Sequence, residues 1–448
     1  MGILSTLNVG STGLQVAADA IQIVGHNATN AATEGYSRQL ISTGSASPIL
    51  QAGFWMGQGV GVTDIGRATN LFVAERAISA QGDASSAETA LSAHQFIETS
   101  VASESGPPGQ LSAFFDALEE LANDPSSDSY RSVALSAAES LTDSIRTVAS
   151  DMSALQTTLA DEVEATVDGV NDSLSRIAQL NGLIGQGGSP DLMDERDAII
   201  TDLAATLGAT VDYAADGGAT VFIGGHAAVM DSSAREVSVV IGSNGFPAIK
   251  LSVDNATVTV TDDVGGAVGG ALEGWQAAQT TLDSMDTFVT EFATAFNTQH
   301  AAGFDATATA GGDVFSFSAT DPAASFTLVL TDIDGFAAAA DPSAPAGDRG
   351  NLDLLIELKD LGAVSGQGAS DFMTDVVQQI ASAVSSAELS LETDTAALDD
   401  AAALMTSISG VDLDAEAADL LAWQAAYQAA ARVITVTDEM LGELMNLV

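Results

Sequence analysis

Cysteine is absent from all 448 residues, which removes disulfides, thiol catalysis and thiolate metal sites together. Lysine is almost absent: only Lys250 and Lys359 occur. Twelve basic residues face 61 acidic ones, for a net charge of −49. Such a surface repels nucleic-acid phosphates and anionic lipid, so it reads as a solvated acidic exterior with no nucleic-acid partner. Hydrophobic residues make up 46%, yet no apolar run approaches the ~20 residues of a membrane span, so membrane insertion is not expected. The opening Met1-Gly-Ile-Leu-Ser-Thr-Leu-Asn lacks the basic start and apolar stretch of a cleavable signal. Any export is expected to read an uncleaved N-terminus.

Catalytic and ligand-binding patterns are equally sparse. The four histidines, His26, His94, His226 and His300, include no pair spaced four apart as on a zinc-binding helix. There is no Gly-x-Ser-x-Gly elbow and no calcium loop. Gly57-Gln-Gly59-Val-Gly61 is not a dinucleotide fingerprint, and Gly265-Gly266-Ala-Val-Gly269-Gly270 lacks the Lys-Ser/Thr ending of a phosphate loop. The adjacent carboxylates Glu119/Glu120, Asp262/Asp263 and Asp399/Asp400 read as solvated faces. The expectation is a protein with no catalytic residue, no cofactor and no metal.

What the chain does have is helical seams. Ile3, Leu7, Gly10, Leu14, Ala17, Ile21, Val24, Ala28 and Ala31 alternate spacings of four and three, which is a heptad face. Leu420, Gln424, Tyr427, Ala431, Ile434, Asp438, Leu441, Met445 and Val448 do the same at the other end. Only Gln424 and Asp438 are polar there, and polar residues at such positions can fix register. An isolated helix of this size is marginal in water, so the two seams are expected to pair, and to gain further from neighbouring copies.

Between them, residues 40–66 read as a glycine-punctuated hairpin. Leu111, Phe114, Phe115, Leu118, Leu121 and Ala122 mark a helical face that Asp124-Pro125 ends. Leu141, Ile145, Val148, Met152, Leu155 and Leu159 continue the four-three spacing, and Val163 and Val167 follow at fours, a stutter. A helix over 131–184 would be about 80 Å long. Ser189-Pro190 opens another helix that Gly208 closes. The period then becomes two: Thr210–Tyr213, Thr220–Ile223, Val237–Ile241, Ile249–Val253 and Thr257–Thr261, separated by turns that include Asp216 and Asp254-Asn255. Helix returns at 270–300 on Trp275, Ala278, Leu282, Met285, Val289, Phe292 and Phe296. A β-like patch spans 313–333, a linker holds Pro342, Pro345 and Gly347, and helical faces resume to 398. The predicted fold is mainly α with inserted β: paired coiled-coil-like terminal helices, a long helical bundle and a small antiparallel β domain, discontinuous in sequence. The expected division is 1–40 with 411–448 as a terminal assembly domain; 41–208, 266–302 and 348–410 as a bundle; and 209–265 with 303–347 as an outer β domain.

Five stretches carry a resemblance. Gly13–Gln39, ending Gly35-Tyr36-Ser37-Arg38-Gln39, is similar to the N-terminal motif of flagellar rod, hook and hook-associated proteins. Pro108-Gly-Gln-Leu-Ser-Ala-Phe-Phe-Asp with Asp124-Pro-Ser-Ser, Leu192-Met-Asp-Glu-Arg-Asp-Ala, Phe296-Asn-Thr-Gln-His-Ala-Ala-Gly-Phe-Asp305 and Gly410-Val-Asp-Leu-Asp through Tyr427-Gln-Ala-Ala-Ala-Arg432-Val-Ile follow in family order. The set resembles most the hook-associated proteins of the hook–filament junction.

The resemblance implies a structural subunit, not an enzyme, exported through the flagellar type III system and secreted to the junction. Implied partners are copies of itself in a ring, the hook protein, a second hook–filament junction protein, and an export chaperone with the export apparatus. Terminal helices would line the inner tube, and the β domain would face outward. The expected assembly residues are Leu7, Leu14, Ile21, Asn27, Asn30, Tyr36, Arg38, Leu420, Gln424, Tyr427, Arg432, Ile434 and Leu441. His300 and Arg432 fall in the matching stretches and are given structural roles. A hook or flagellin-like axial protein, or an adhesive module in the β insert, are the alternatives.

Overall fold

The computed structural model describes every residue except 1, 34, 52, 215–216, 254–255, 344–346 and 447–448. Val448 of the second seam, Pro345 of the linker and the turn residues Asp216, Asp254 and Asn255 lie outside the described residues.

The first seam forms helix α1 (Gly2–Asn30) and the second forms α9 (Leu413–Asn446). After α1 the chain makes a long hairpin, β1 (Gln39–Ser45) paired antiparallel with β4 (Val60–Arg67). A smaller hairpin, β2 (Ile49–Gln51) and β3 (Phe54–Met56), forms its tip. The bundle follows: α2 (Leu71–Val101), α3 (Pro107–Asn123), α4 (Asp128–Ile184) and α5 (Pro190–Leu207). The Ser127 side chain accepts a hydrogen bond from the Tyr130 amide and caps α4. Pro190 opens α5, and Gly208 ends it in the left-handed conformation at φ 64°.

Seven strands come next. β5 (Thr210–Tyr213), β6 (Ala219–Ile223), β7 (His226–Met230) and β8 (Ser233–Ala234) form a meander, and β9 (Val237–Ile241), β10 (Pro247–Val253) and β11 (Ala256–Thr259) form a second antiparallel sheet. The periodicity reading missed β7, whose His-Ala-Ala-Val-Met has little β propensity and gains its place by pairing with β6. Then come α6 (Gly266–Ala302), a largely irregular segment with the two-residue strands β12 (Phe315–Ser316) and β13 (Thr327–Leu328) and a 3-10 turn at Ile333–Gly335, and then α7 (Gly350–Glu357) and α8 (Ala369–Ser409).

Two apolar clusters hold the middle together. One joins α3, the first part of α4, the second part of α6, α7, α8 and the 314–338 segment. Phenylalanines dominate it: Phe288 stacks on Phe292 at 5.1 Å between centroids, and Phe114, Phe296 and Phe315 lie 5.4–5.9 Å apart. The other joins the second part of α4, α5 and the start of α6 to both sheets of 210–259. The changeover on α4 falls between Met152 and Leu159, one turn before the spacing stutters at Val163 and Val167. The β segments 209–265 and 303–347, grouped in the sequence reading as one outer domain, rest on different clusters: the short strands β12 and β13 pack on the phenylalanine cluster, away from the two sheets.

Among the described residues, no helix is long and apolar enough to cross a membrane.

Candidate assembly interface and its anchoring joint

α1 and α9 run antiparallel along each other. A Cβ at Gly10 would sit 3.0 Å from Ile434 Cγ1, and at the other end Asn27 Nδ2 donates to Glu416 Oε2 at 3.2 Å. Glycine at position 10 is what lets the helices come this close. On α1, Gly10, Ala17 and Val24 are buried and Ile3, Leu7, Leu14 and Ile21 half-buried, as the heptad face predicts; Ala28 and Ala31 are exposed, so the seam ends earlier than expected.

On α9 the half-buried or buried positions are Ala415, Glu416, Leu420, Trp423, Ala430, Ala431, Ile434 and Thr437, with Tyr427 and Leu441 at the margin. Leu420, Tyr427, Ile434 and Leu441 therefore sit where the spacing put them. Gln424, Asp438 and Met445 do not: all three are exposed, and Trp423 and Thr437 take the places expected of the first two. Two stripes, one residue apart, fit the same alternation, and the neighbouring Ala430 and Ala431 do not discriminate between them. The register role given to Gln424 and Asp438 has no basis within the α1–α9 pair.

The lower end of the pair is fixed by a polar joint. Asn27 is buried and uses its whole amide: Oδ1 accepts from Tyr36 Oη and the Gln39 amide, both at 2.8 Å, while Nδ2 donates to the Gln39 carbonyl at 3.0 Å and to Glu416. Tyr36 Oη also meets His26 Nδ1 at 3.0 Å. Burial, then the nearby carboxylates of Asp191, Asp194 and Glu416, push the Tyr36 pKa up to about 12, so the phenol stays a donor. Arg38 Nε donates to the buried Glu416 carboxylate at 2.6 Å and Nη2 to Asp419 at 3.1 Å. Its amide donates to Ser409 O at 2.8 Å, tying the end of α8 in. Asn30 serves only its own helix end, donating to His26 O at 3.0 Å.

The joint continues into the bundle through Arg67, which the sequence reading did not single out, and through Asp194 and Asp197 of the stretch Leu192–Ala198, singled out there only for its family resemblance. Arg67, at the end of β4, donates to Asp194 at 2.7 Å and pairs with Asp197 at 2.9 Å. Burial alone would lower its pKa, but the two carboxylates outweigh burial and hold it above the ordinary value. Asp194 also accepts from the Ser37 amide at 3.0 Å, and Asp191 from Gln39 Nε2 at 2.7 Å. Arg196 points the other way. It is fully buried, donating to Asn181 Oδ1 at 3.1 Å and Gly217 O at 2.6 Å. The segment Leu192–Ala198 thus holds the tail on one face and the first β sheet on the other. The signal that could have found it is the alternation of Asp194, Arg196 and Asp197 within one helical turn.

His300, fully buried, bridges Gly312 O at 2.7 Å and the Ala337 amide at 2.9 Å, and burial lowers its pKa. It is a packing residue of the bundle. A cavity of about 520 Å³ between α2, α6 and α8 is lined by alanines and serines with Asp83, His94, Glu273 and Asp394. His94 Nε2 lies 3.4 Å from Glu273, whose pKa this hydrogen bond lowers. Among the described residues, no three His, Asp or Glu side chains converge as a metal site would need.

The comparisons with known proteins agree with this architecture. A family model described as the flagellar hook-associated protein FlgK helical domain matches residues 97–315, and one described as the flagellar basal body rod FlgEFG protein C-terminal matches 404–447. The flagellar hook-associated protein 1 of Bacillus subtilis is 26% identical over 95% of both chains. By these matches the chain is similar to the flagellar hook-associated protein 1 family. The protein of that name from Salmonella typhimurium is 28% identical over 70% of this chain, which spans 59% of that relative's length. The structure of the flagellar hook junction protein FlgK from Burkholderia pseudomallei aligns with a TM-score of 0.66 at 16% identity, covering 75% of this chain and all of that one. At that identity the match speaks for the fold. These matches relate the chain to hook-associated components of the bacterial flagellum.

Proposed function

We propose that this chain is a self-assembling structural subunit of the hook–filament junction, polymerising through the α1–α9 pair. The observation that carries this reading is the surplus of apolar surface on the pair. Leu421 is 68% exposed, and Leu4, Val9, Val433, Val436, Met440, Leu444 and Met445 are exposed as well. A contiguous apolar surface on a folded chain marks an interaction site. The polar joint holds this pair in one orientation on the bundle, which a repeating assembly requires of every copy. In this reading the subunit leaves the cell by the flagellar type III route with an export chaperone, forms a ring of copies, and contacts the hook protein on one side and a second junction protein on the other. Leu7, Leu14, Ile21, Leu420, Tyr427, Ile434 and Leu441 form the intrasubunit seam; Gln424 and Arg432, exposed, belong to contacts between copies. Asn27, Tyr36 and Arg38 serve assembly indirectly, through the joint.

Deleting residues 413–448 tests it. The expected product is a folded, monomeric bundle that does not join isolated hooks; a truncated chain that still supports filament growth sinks the reading.

A further inference from the structure

The hairpin tip is the most exposed apolar element outside the helices. Phe54 is 74% exposed and Trp55 71%, and Ile49, Leu50 and Met56 are exposed beside them. Among the described residues, no surface of the same chain covers these side chains. A hairpin of two three-residue strands is marginal alone and needs a surface to rest on. It is also free of charge: residues 39–63 contain no Asp, Glu, Lys or Arg, in a chain of net −49.

We propose that this tip docks on the outer stripe of α9 in a second copy of the chain, with Trp55 against Leu421, Arg432 and Val436. The inference rests on the assembly reading and names one of its contacts. Three observations choose the occupant. First, the stripe Leu421–Arg432–Val436–Met440 is exposed and faces away from α1. The hairpin lies against α1, with Asn8 Nδ2 donating to Gln58 O at 3.4 Å and a Cβ at Gly59 falling 2.1 Å from Thr12 Oγ1. The tip of one chain therefore meets this stripe in another chain. Second, strongly acidic copies approach each other at least cost where neither carries acid, and 420–431 is as uncharged as the tip. Third, Arg432 is exposed and, among the described residues, has no hydrogen-bond or ion-pair partner. A bare guanidinium is what an exposed indole face attracts. Lipid, the other surface that takes Trp and Phe, would have to accept a chain of this negative charge.

The absence of native cysteine makes the test clean. W55C and V436C chains, one carrying a mass tag, are mixed, polymerised and oxidised. The expected result is a mixed disulfide that forms only on polymerisation and exceeds the yield from W55C mixed with V240C on the exposed strand β9. R432Q in the V436C chain is expected to lower that yield about fivefold, and R432K to restore part of it. Polymers that form normally without the mixed product overturn the docking contact and leave the assembly reading standing. So does a blue shift of Trp55 emission on zwitterionic or anionic vesicles in place of polymers. A wild-type chain that never polymerises, alone or on hooks, sinks both.

Discussion

The phenylalanine cluster of the bundle and the α1–α9 pair are written in the same four-three apolar spacing, and they end in opposite states. In the bundle, Phe114, Phe115, Phe288, Phe292 and Phe296 are closed off from solvent on all sides. In the tail pair the seam is small or half-buried, closed by Gly10, Ala17 and Val24, and large side chains are left outside. Charge follows the same division. Between residues 1 and 67 the only acidic residues are Asp19, Glu34 and Asp64, whereas the bundle and sheets carry most of the 61. The bundle is finished as a single chain; the tail leaves apolar surface uncovered, which in the proposed assembly other copies would cover. Spacing alone reports that a face is apolar. Side-chain volume and charge around it report what that face is for.

Phe292→Ala should break the bundle half of this comparison with the largest effect. Phe292 is fully buried and meets Phe114, Phe115, Phe288, Phe296 and Phe315. Truncation leaves a cavity, and about 3–5 kcal/mol of stability should be lost, read as a lowered denaturation midpoint of the whole chain. A loss under 1 kcal/mol would mean that the cluster is not the core of a cooperative unit.

Asn27→Ala tests the boundary between the regions. It strips partners from Tyr36 Oη, the Gln39 amide and carbonyl, and Glu416. The cost should be about 1–3 kcal/mol and should fall on the tail. Amide exchange should quicken in α1 and α9 while the phenylalanine cluster keeps its protection. Equal quickening in both regions would show that tail and bundle unfold as one.

This joint is also where the sequence was least legible. Helix α5 could be bounded from Pro190 and Gly208, and the long helix from its run of apolar positions, because those signals are local. Asn27 and Arg38 could be noticed, but Glu416 lies 389 residues from Asn27 and Arg67 lies 127 from Asp194. No periodicity connects such residues. The shift from Gln424 to Trp423 and from Asp438 to Thr437 has a different cause: an alanine-rich stripe fixes the helix and leaves its rotation to the partner. Residues 313–333 looked β-like because their Phe, Val and Thr content suits a strand, yet tertiary packing around Phe315 and Phe326 keeps them irregular.

Acidification should reach the bundle through His300. Its folded pKa is lowered by burial, so the unfolded chain binds the proton more readily. Stability from the neutral ring is complete above the unfolded value of about 6.5 and declines as pH falls toward the folded value. Denaturation midpoints at stepped pH should show this decline, and His300→Gln should reduce it. An unchanged slope in the variant would assign the decline to carboxylates.

Leu421→Ser should have the smallest effect on the fold and the clearest one on assembly. The side chain is exposed and turned away from α1, so the isolated chain should change by less than about 0.5 kcal/mol. Polymerisation should be lost or need a higher protein concentration, because the serine removes apolar area that only a neighbouring copy would cover. The two measurements on one variant separate the regions more sharply than any core substitution can: a residue that matters to the monomer was part of a finished surface, and one that matters only to the polymer was not. If Leu421→Ser polymerises at the wild-type concentration, the outer stripe is incidental, and the unfinished surface must be sought on the α1 side, at Leu4 and Val9.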